Sequence, residues 1–485
     1  MHGATDGLDV AAVATALGLL AELDPHPAEV STSGLVLPGR FRVDVVATSV
    51  VAAVTAAIAA VHQQRTGWYP AVAVDGRAAQ ISFRSERYLR RDGRTVGELW
   101  APLSGDYRCA DGWLKIHANF AHHGSAAAAA LGVRADREAL AERLGTLRAP
   151  DAEQAIIEAG GVAAAMRSAE AWRVHGQGRV EAATAPLRLQ RAVTAGAVEP
   201  GPRRWPDAPT GAPAPGDAVR PLAGLRVLDL TRVIAGPVCG RVLAAHGADV
   251  LQVAAGHLPQ IEPLVLDTGF GKRSTLLDLR LPADRVAFDA LLADADVLVE
   301  SYRPGALAAL GYGPQELARR APGLVVVDVR AYSSGGPWEA RRGFDSLVQL
   351  VSGLADEAAR NTGADGPVPL PCQALDHATG WLAALAAVAG VLRQRREGGS
   401  WRAEVSLAAT AAWLDGLGRF RGTIVSDPGL DDVAPFLLDT VRAEPGGGAV
   451  VLSHVAMPGT LDGAAVRWAS PPPRPGSSPP RWQAG

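Results

Sequence analysis

At 485 residues, 48% of them hydrophobic, the chain is long enough for two or three domains, each with its own core. Its charges nearly cancel, 47 Lys and Arg against 50 Asp and Glu, so no net field draws in nucleic acid or an anionic membrane, and an anionic ligand must be held by local basic groups. Three cysteines, Cys109, Cys239 and Cys372, without CxxC spacing, argue against a disulfide framework and a zinc site and fit a reducing cytoplasm.

The first nine residues are acidic and lack the basic start of a secretory signal, so no targeting segment is expected. Residues 8 to 24 predict an amphipathic helix. The apolar runs Val45 to Val61 and Trp381 to Leu392 are short and Ala-rich for a bilayer span and predict buried core helices. The alternation Ala71-Val72-Ala73-Val74-Asp75 predicts a strand. A slide of 331 positions pairs Thr48 with Thr379, Arg65 with Arg396, Gly67 with Gly398 and Val74 with Val405, which reads as an internal repeat. In that register Val45 stands opposite Asp376, with Asp44 one position off, so the first copy lacks the acid.

Residues 107 to 190 are mixed α+β, with a hairpin turning at Asp111-Gly112 and helices over 137–147 and 151–159. The cluster His117, His122 and His123 has no accompanying Cys and no i, i+4 placement, so a surface or strand-end role is expected rather than a metal site. Prolines and glycines crowd 199–217, a linker.

From 221 to 330 strand and helix alternate: a strand at Leu225 to Leu230, a helix at Pro237 to His246, then strands at Asp249 to Val253, Val297 to Val299 and Leu324 to Val329. The order implies right-handed βαβ units and a parallel sheet, with ligands at the carboxyl ends of its strands. Those ends each carry an Arg: Arg232, Arg303 and Arg330. No GxGxxG follows the first strand, so a dinucleotide is not expected. Gly271-Lys272-Arg273-Ser274 fails as a phosphate loop, because Leu266 and Arg273 stand where Gly and Ser or Thr are needed. The expected fold class is α/β: a Rossmann-like parallel sheet in a large domain (221–420), a smaller α+β domain (101–198), a Pro-rich linker (199–220), a partial repeat of the large-domain helix (1–100) and a C-terminal segment with a Pro-rich tail (421–485).

Asp376 stands where the second long apolar run begins, a position suited either to capping the helix or to presenting a carboxylate beside unpaired backbone N–H groups. Around it the pieces Pro221 to Leu230, Ala235-Gly236-Pro237, Gly247-Ala248-Asp249-Val250, Gly271-Lys272-Arg273-Ser274, Ala295 to Gly305, Gly343-Phe344-Asp345, Ser352-Gly353-Leu354 and Thr379-Gly380 occur in one order. Together they resemble the family III CoA-transferases, the formyl-CoA and carnitine-CoA transferase group. The resemblance implies that Asp376 is the nucleophile that carries CoA as a thioester. It implies CoA contacts at Val233, Leu277, Ser301, Tyr302, Arg330 and Tyr332. Charge and loop placement add Arg232, Lys272, Arg273 and Arg303.

Coenzyme A is expected as substrate and product, with no tightly bound cofactor. The partners are an acyl-CoA and a carboxylic acid, and the unit is a homodimer or an intrachain pseudo-dimer. Two departures stand out: Ala254-Ala255 and Ala309 replace charged positions of the family, so phosphate contacts are fewer or come from Arg341 and Arg342. Small-domain-like sequence also precedes the core instead of following it, which reads as a partial duplication or fusion. The alternatives are an α-methylacyl-CoA racemase-like isomerase, disfavoured because Phe344 replaces that enzyme's His base although His377 adjoins Asp376, and a non-catalytic CoA-binding homologue.

Overall fold

Short runs rich in Val and Leu, within Arg226–Leu230, Asp249–Ala254, Val297–Glu300 and Val325–Arg330, become the middle strands of a central sheet. The computed structural model of the chain describes residues 28–31, 34–192, 199–205 and 219–483. The expected helix over 8–24 and most of the Pro-rich linker lie outside them. In chain order the elements that position the site are helix α1 (Val43–Thr66), strands β1 (Leu187–Ala192) and β2 (Arg226–Leu230), helix α2 (Ala235–Ala245), strands β3 (Asp249–Ala254), β4 (Arg273–Leu276), β5 (Val297–Glu300) and β6 (Val325–Arg330), helices α3 (Asp345–Val351) and α4 (Ala374–Glu397), strand β7 (Ser400–Ser406) and helix α5 (Leu407–Gly416).

The strands form a seven-stranded sheet in the order β4-β3-β2-β5-β6-β7-β1. All neighbours are parallel except β1, which runs antiparallel along β7. Strand order reverses between β2 and β5, where Leu230 pairs with Glu300, and a crevice at such a reversal is where parallel sheets bind ligands. Because side chains alternate across a strand, Val227, Val250, Val297 and Val327 pack on one face, and Leu228, Leu251 and Leu298 join Phe288 and Tyr312 on the other.

Helix α4 fills the first face, with nearly every residue from Ala374 to Leu392 buried, and packs against α2, α1, β6 and β7. Both α1 and α4 are long and apolar enough to cross a bilayer, yet both lie mostly inside the fold. Their bounds differ by 331 at each end, Val43 to Ala374 and Thr66 to Glu397, and each is closed by glycine, Gly67 and Gly398. The 331-residue periodicity is thus also a periodicity of helix placement. The two copies pack against each other.

Segments from the first hundred residues and from beyond residue 436 fold together. Leu437–Ala443 pairs with Ala449–Val455, which pairs with Arg90–Arg91, and Gly459–Leu461 lies beside Val72–Asp75. The Pro-rich tail then runs past the exposed edge strand: Ser478 N–H donates to the Ser274 carbonyl, and Trp482 Nε1 to the Leu291 carbonyl. Such cover protects an edge from pairing with other chains.

In the small domain Gly105–Cys109 and Gly112–Ile116 form the hairpin, joined by Ala163–Ala165. Cys109 pairs with Gly112, so the turn residues are Ala110 and Asp111, one position before the expected turn. Helices Arg137–Gly145 and Ala149–Glu158 cover this sheet; the second starts early because Pro150 suits a first helical turn.

Candidate active site

Gln373, not Asp376, is the N-cap of α4; Asp376 is the third helical residue. Four positions on, on the same helix face, stands Gly380. A Cβ there would lie 2.5 Å from the Ala235 carbonyl oxygen and 2.8 Å from Val238 Cβ. Only glycine lets α4 cross α2 this closely, and the crossing sets Asp376 beside the start of α2, whose first N–H groups have no intrahelical acceptors.

The Asp376 carboxylate makes no hydrogen bond among the described residues, although the residue is only 7% exposed. Its backbone N–H donates to Asp345 Oδ2 at 2.8 Å. Asp345, the first residue of α3, is buried and also accepts from the Gln349 side-chain amide. Glu86, from the segment after α1, is buried too and lies 3.0 Å from His377 Nε2. Burial, followed by the charges of Asp345 and Glu86, pushes the Asp376 carboxyl well above the ordinary carboxylate range. Burial likewise raises Asp345 to about 6, with the Asp376 N–H and Gln349 pulling it back. Burial would raise Glu86 as well, but the His377 imidazole outweighs it and holds Glu86 below the ordinary value.

Asp376 stands where two hollows meet. The larger, about 370 Å³, lies at the carboxyl ends of β2, β5 and β6 and is lined by Arg232, Val233, Ser301, Tyr302, Arg303, Arg330, Arg341 and Arg342. Of the expected contacts it therefore gathers Arg232, Val233, Ser301, Tyr302, Arg303 and Arg330 around Asp376. Arg330 lies 3.4 Å from Glu404, and Arg341 bonds Glu153 at 2.6 Å. Arg232, Arg303 and Arg342 have no carboxylate partner among the described residues; Arg232 instead lies over the Phe120 ring. Three uncompensated guanidinium groups around one cavity suit a polyanion. Val233 is in the left-handed region at φ 75°, a strained conformation for a β-branched residue and one that recurs at functional turns.

Four expected contacts lie elsewhere. Lys272 is 3% exposed, pairs with buried Asp229 at 2.8 Å and donates to the Pro237 carbonyl, pinning α2 to the sheet. Gly240 makes room for that pair, since a Cβ there would lie 2.6 Å from Asp229 Oδ2. Arg273 forms a two-pronged bond to Asp249 and holds the tail through the Arg481 carbonyl. Leu277 is packed in the core on the far face of the sheet, and Tyr332 is buried against Trp172 and Trp338. None of the four lines the cavity. Charge and loop placement suggested Lys272 and Arg273 as CoA contacts, but pairing with Asp229 and Asp249 spends those charges internally.

The smaller hollow, about 40 Å³, continues from Asp376 on the other side and includes Glu86, Arg87, His117, Asp345, Ser346 and Gln373. His117 follows the hairpin strand, as a strand-end residue should. It is buried rather than on the surface, stacked on Phe344 at 3.6 Å, and burial lowers its pKa to about 3. His122 lines the larger cavity, and His123 is buried beside it. Sequence reasoning gave no role to Asp345, Glu86, Arg87 or Ser346. The Gly343-Phe344-Asp345 piece was the one local signal among them.

The profile of CoA-transferase family III matches residues 222–417. The acetyl-coenzyme A transferase nodX of Hypoxylon pulicicidum is 35% identical over 214 residues, 43% of this chain and 36% of that protein. A probable fatty acyl-CoA transferase of Mycobacterium tuberculosis, Rv3272, is 34% identical over 42% of this chain and 54% of its own length. The mouse succinyl-CoA:glutarate CoA-transferase is 33% identical over 38% of this chain and 44% of its own. The chain thus spans about half or less of the length of these relatives. Residues 222–417, which supply the six parallel strands, most of the arginine-lined cavity and Asp376, are the part of the chain that matches CoA-transferase family III.

Proposed function

We propose that the chain transfers CoA between an acyl-CoA thioester and a free carboxylic acid, with Asp376 as the nucleophile. The observation that carries this is the position of one buried carboxylate, free of hydrogen bonds among the described residues, at the inner end of a cavity with three uncompensated arginines. Arg232, Arg303 and Arg342 are assigned to the phosphates of CoA, and the pantetheine arm runs inward to Asp376.

In the proposed cycle the Asp376 carboxylate attacks the thioester carbonyl, the C–S bond breaks, and CoA leaves as thiolate from an acyl-aspartyl anhydride. The thiolate attacks the Asp376 side-chain carbonyl, the donor acid departs as carboxylate, and an aspartyl-CoA thioester remains. The acceptor carboxylate then displaces CoA thiolate to form a second anhydride. Attack of the thiolate on the acceptor's carbonyl releases the new acyl-CoA and restores Asp376. Over the whole cycle one thioester is broken and one is formed, with the anhydrides as transient higher-energy species, so the thioester's free energy is conserved. The elevated basicity of Asp376 makes it a stronger nucleophile once ionised, and the N-terminal N–H groups of α2 suit the developing oxyanion. The match of residues 222–417 to the family and the names of the relatives support the reading. Glu86 and Arg87, contributed from beyond α1, also support an intrachain pseudo-dimer in which the repeat completes the site.

The experiment is CoA exchange between acyl-CoA donors and carboxylic acids. Wild-type protein is expected to exchange, and Asp376→Asn to lose exchange by at least three orders of magnitude while still binding CoA. Full exchange by the Asn variant overturns the assignment.

A further inference from the structure

Glu86 and His377 form a buried pair that the proposed cycle does not use, and the inference drawn from it rests on the transferase reading. His377 is fully buried and Glu86 nearly so, with Nε2 3.0 Å from Glu86 Oε2. Glu86 is held below the ordinary carboxyl range, so the carboxylate accepts and the ring donates. His377 Nδ1 has no hydrogen-bond partner among the described residues. Glu86 is therefore the polar anchor of a ring that otherwise stacks on Phe83, at 5.5 Å.

His377 follows Asp376 in the first turn of α4, so anchoring its ring fixes the direction in which the neighbouring side chain leaves the helix. Asp345 holds the same turn through the Asp376 N–H. The residues just before Glu86 dock their segment without it. Arg84 donates to the Pro371 carbonyl at 2.7 Å and pairs with Asp427. Ser85 donates to Asp267, which also pairs with Arg241 of α2. For stability alone a buried carboxylate is a costly further contact, since a well-packed apolar side chain often serves as well or better. Its charge also acts beside the nucleophile: with Asp345, Glu86 favours the proton on Asp376. Arg87 lies 4.0 Å from Glu86 on the more exposed side. The other titratable neighbours are uncharged, because burial pushes the Cys372 thiol up and His117 down to about 3.

We propose that Glu86 is a positioning residue for the transfer reaction: through His377 it orients the first turn of α4 so that the Asp376 carboxylate faces the cavity. The segment after α1 thus supplies a working part that residues 222–417 lack.

The test compares Glu86→Gln and Glu86→Leu with wild type in the full chain. Gln keeps an acceptor for His377 and removes the charge, whereas Leu removes both. Exchange is followed across pH with acetyl-, succinyl- and hexanoyl-CoA as donors to carboxylic acids, and CoA binding by calorimetry. Glu86→Leu is expected to lower turnover about a hundredfold or more, with CoA affinity kept within about twofold because the loss falls on the chemical step. Glu86→Gln is expected to recover about tenfold or more of that loss through the restored hydrogen bond. Its exchange should reach half its maximum at a lower pH than wild type, because ionising Asp376 no longer meets this neighbouring charge. Wild-type turnover in Glu86→Leu, or a half-maximum unmoved in Glu86→Gln, overturns the proposal. Loss of CoA affinity in step with turnover also overturns it, since that makes Glu86 a purely structural residue. Should the Leu variant fail to fold, the half-maximum of the Gln variant decides. Wild-type exchange that neither variant alters overturns this inference alone, whereas a wild-type chain that exchanges no CoA overturns the transferase reading and this inference with it.

Discussion

Replacing Asp345 by Asn tests the electrostatics around Asp376 most sharply. The wild-type carboxyl is raised from an ordinary 3.8 to about 6 by burial, so the folded state holds its proton more tightly than the unfolded chain. Its stabilising contribution is therefore full below the unfolded value, fades as pH rises, and is gone above about 6. At about 1.4 kcal/mol per unit, the full difference is ~3 kcal/mol, of which about 1.4 kcal/mol falls between pH 5 and pH 8. Asn cannot titrate, and it loses one accepted bond because Gln349 also accepts from Leu370 N–H and cannot simply turn round. The variant is expected to be less stable than wild type at pH 5, with the gap closing by about 1.4 kcal/mol or more by pH 8. With one neighbouring charge gone, the pH at which exchange reaches half its maximum should also fall. Urea unfolding at four pH values between 5 and 8 reads the first effect. Parallel stability curves across that range would refute the reasoning.

Lys272→Met leaves Asp229 charged, buried and unpaired, and should cost about 3–5 kcal/mol of stability in urea titration. Near-wild-type stability with lost CoA affinity would instead make Lys272 a ligand contact. Arg303→Gln and Arg342→Gln should each weaken CoA binding about tenfold or more in calorimetry, with a shallower salt dependence, because each removes a charge-assisted contact to phosphate; unchanged affinity would remove that arginine from the phosphate site.

The strands were legible because the parallel sheet buries both faces, which turns Val227 to Leu230 and Val325 to Val329 into apolar runs flanked by chain reversals. Asp376 was legible as a lone acid opening a long apolar helix. The direction of nearby charges was not. Lys272 and Arg273 look alike in sequence, but whether a cation meets a ligand or an internal acid depends on Asp229 and Asp249, which only the sheet brings near. Nor could local pattern unite Glu86, His117 and Asp345 with Asp376, since they come from four separate stretches of chain. The repeat pointed to pairing between distant halves; which side chains it delivers to the site is set by tertiary packing.

The most direct measurement is mass spectrometry of the protein after incubation with an acyl-CoA donor and hydroxylamine. The account predicts a hydroxamate on Asp376 alone, formed only when donor is present and absent from Asp376→Asn. Steady CoA exchange with Asp376 unmodified, or a hydroxamate on another carboxylate such as Asp345 or Glu86, would contradict it.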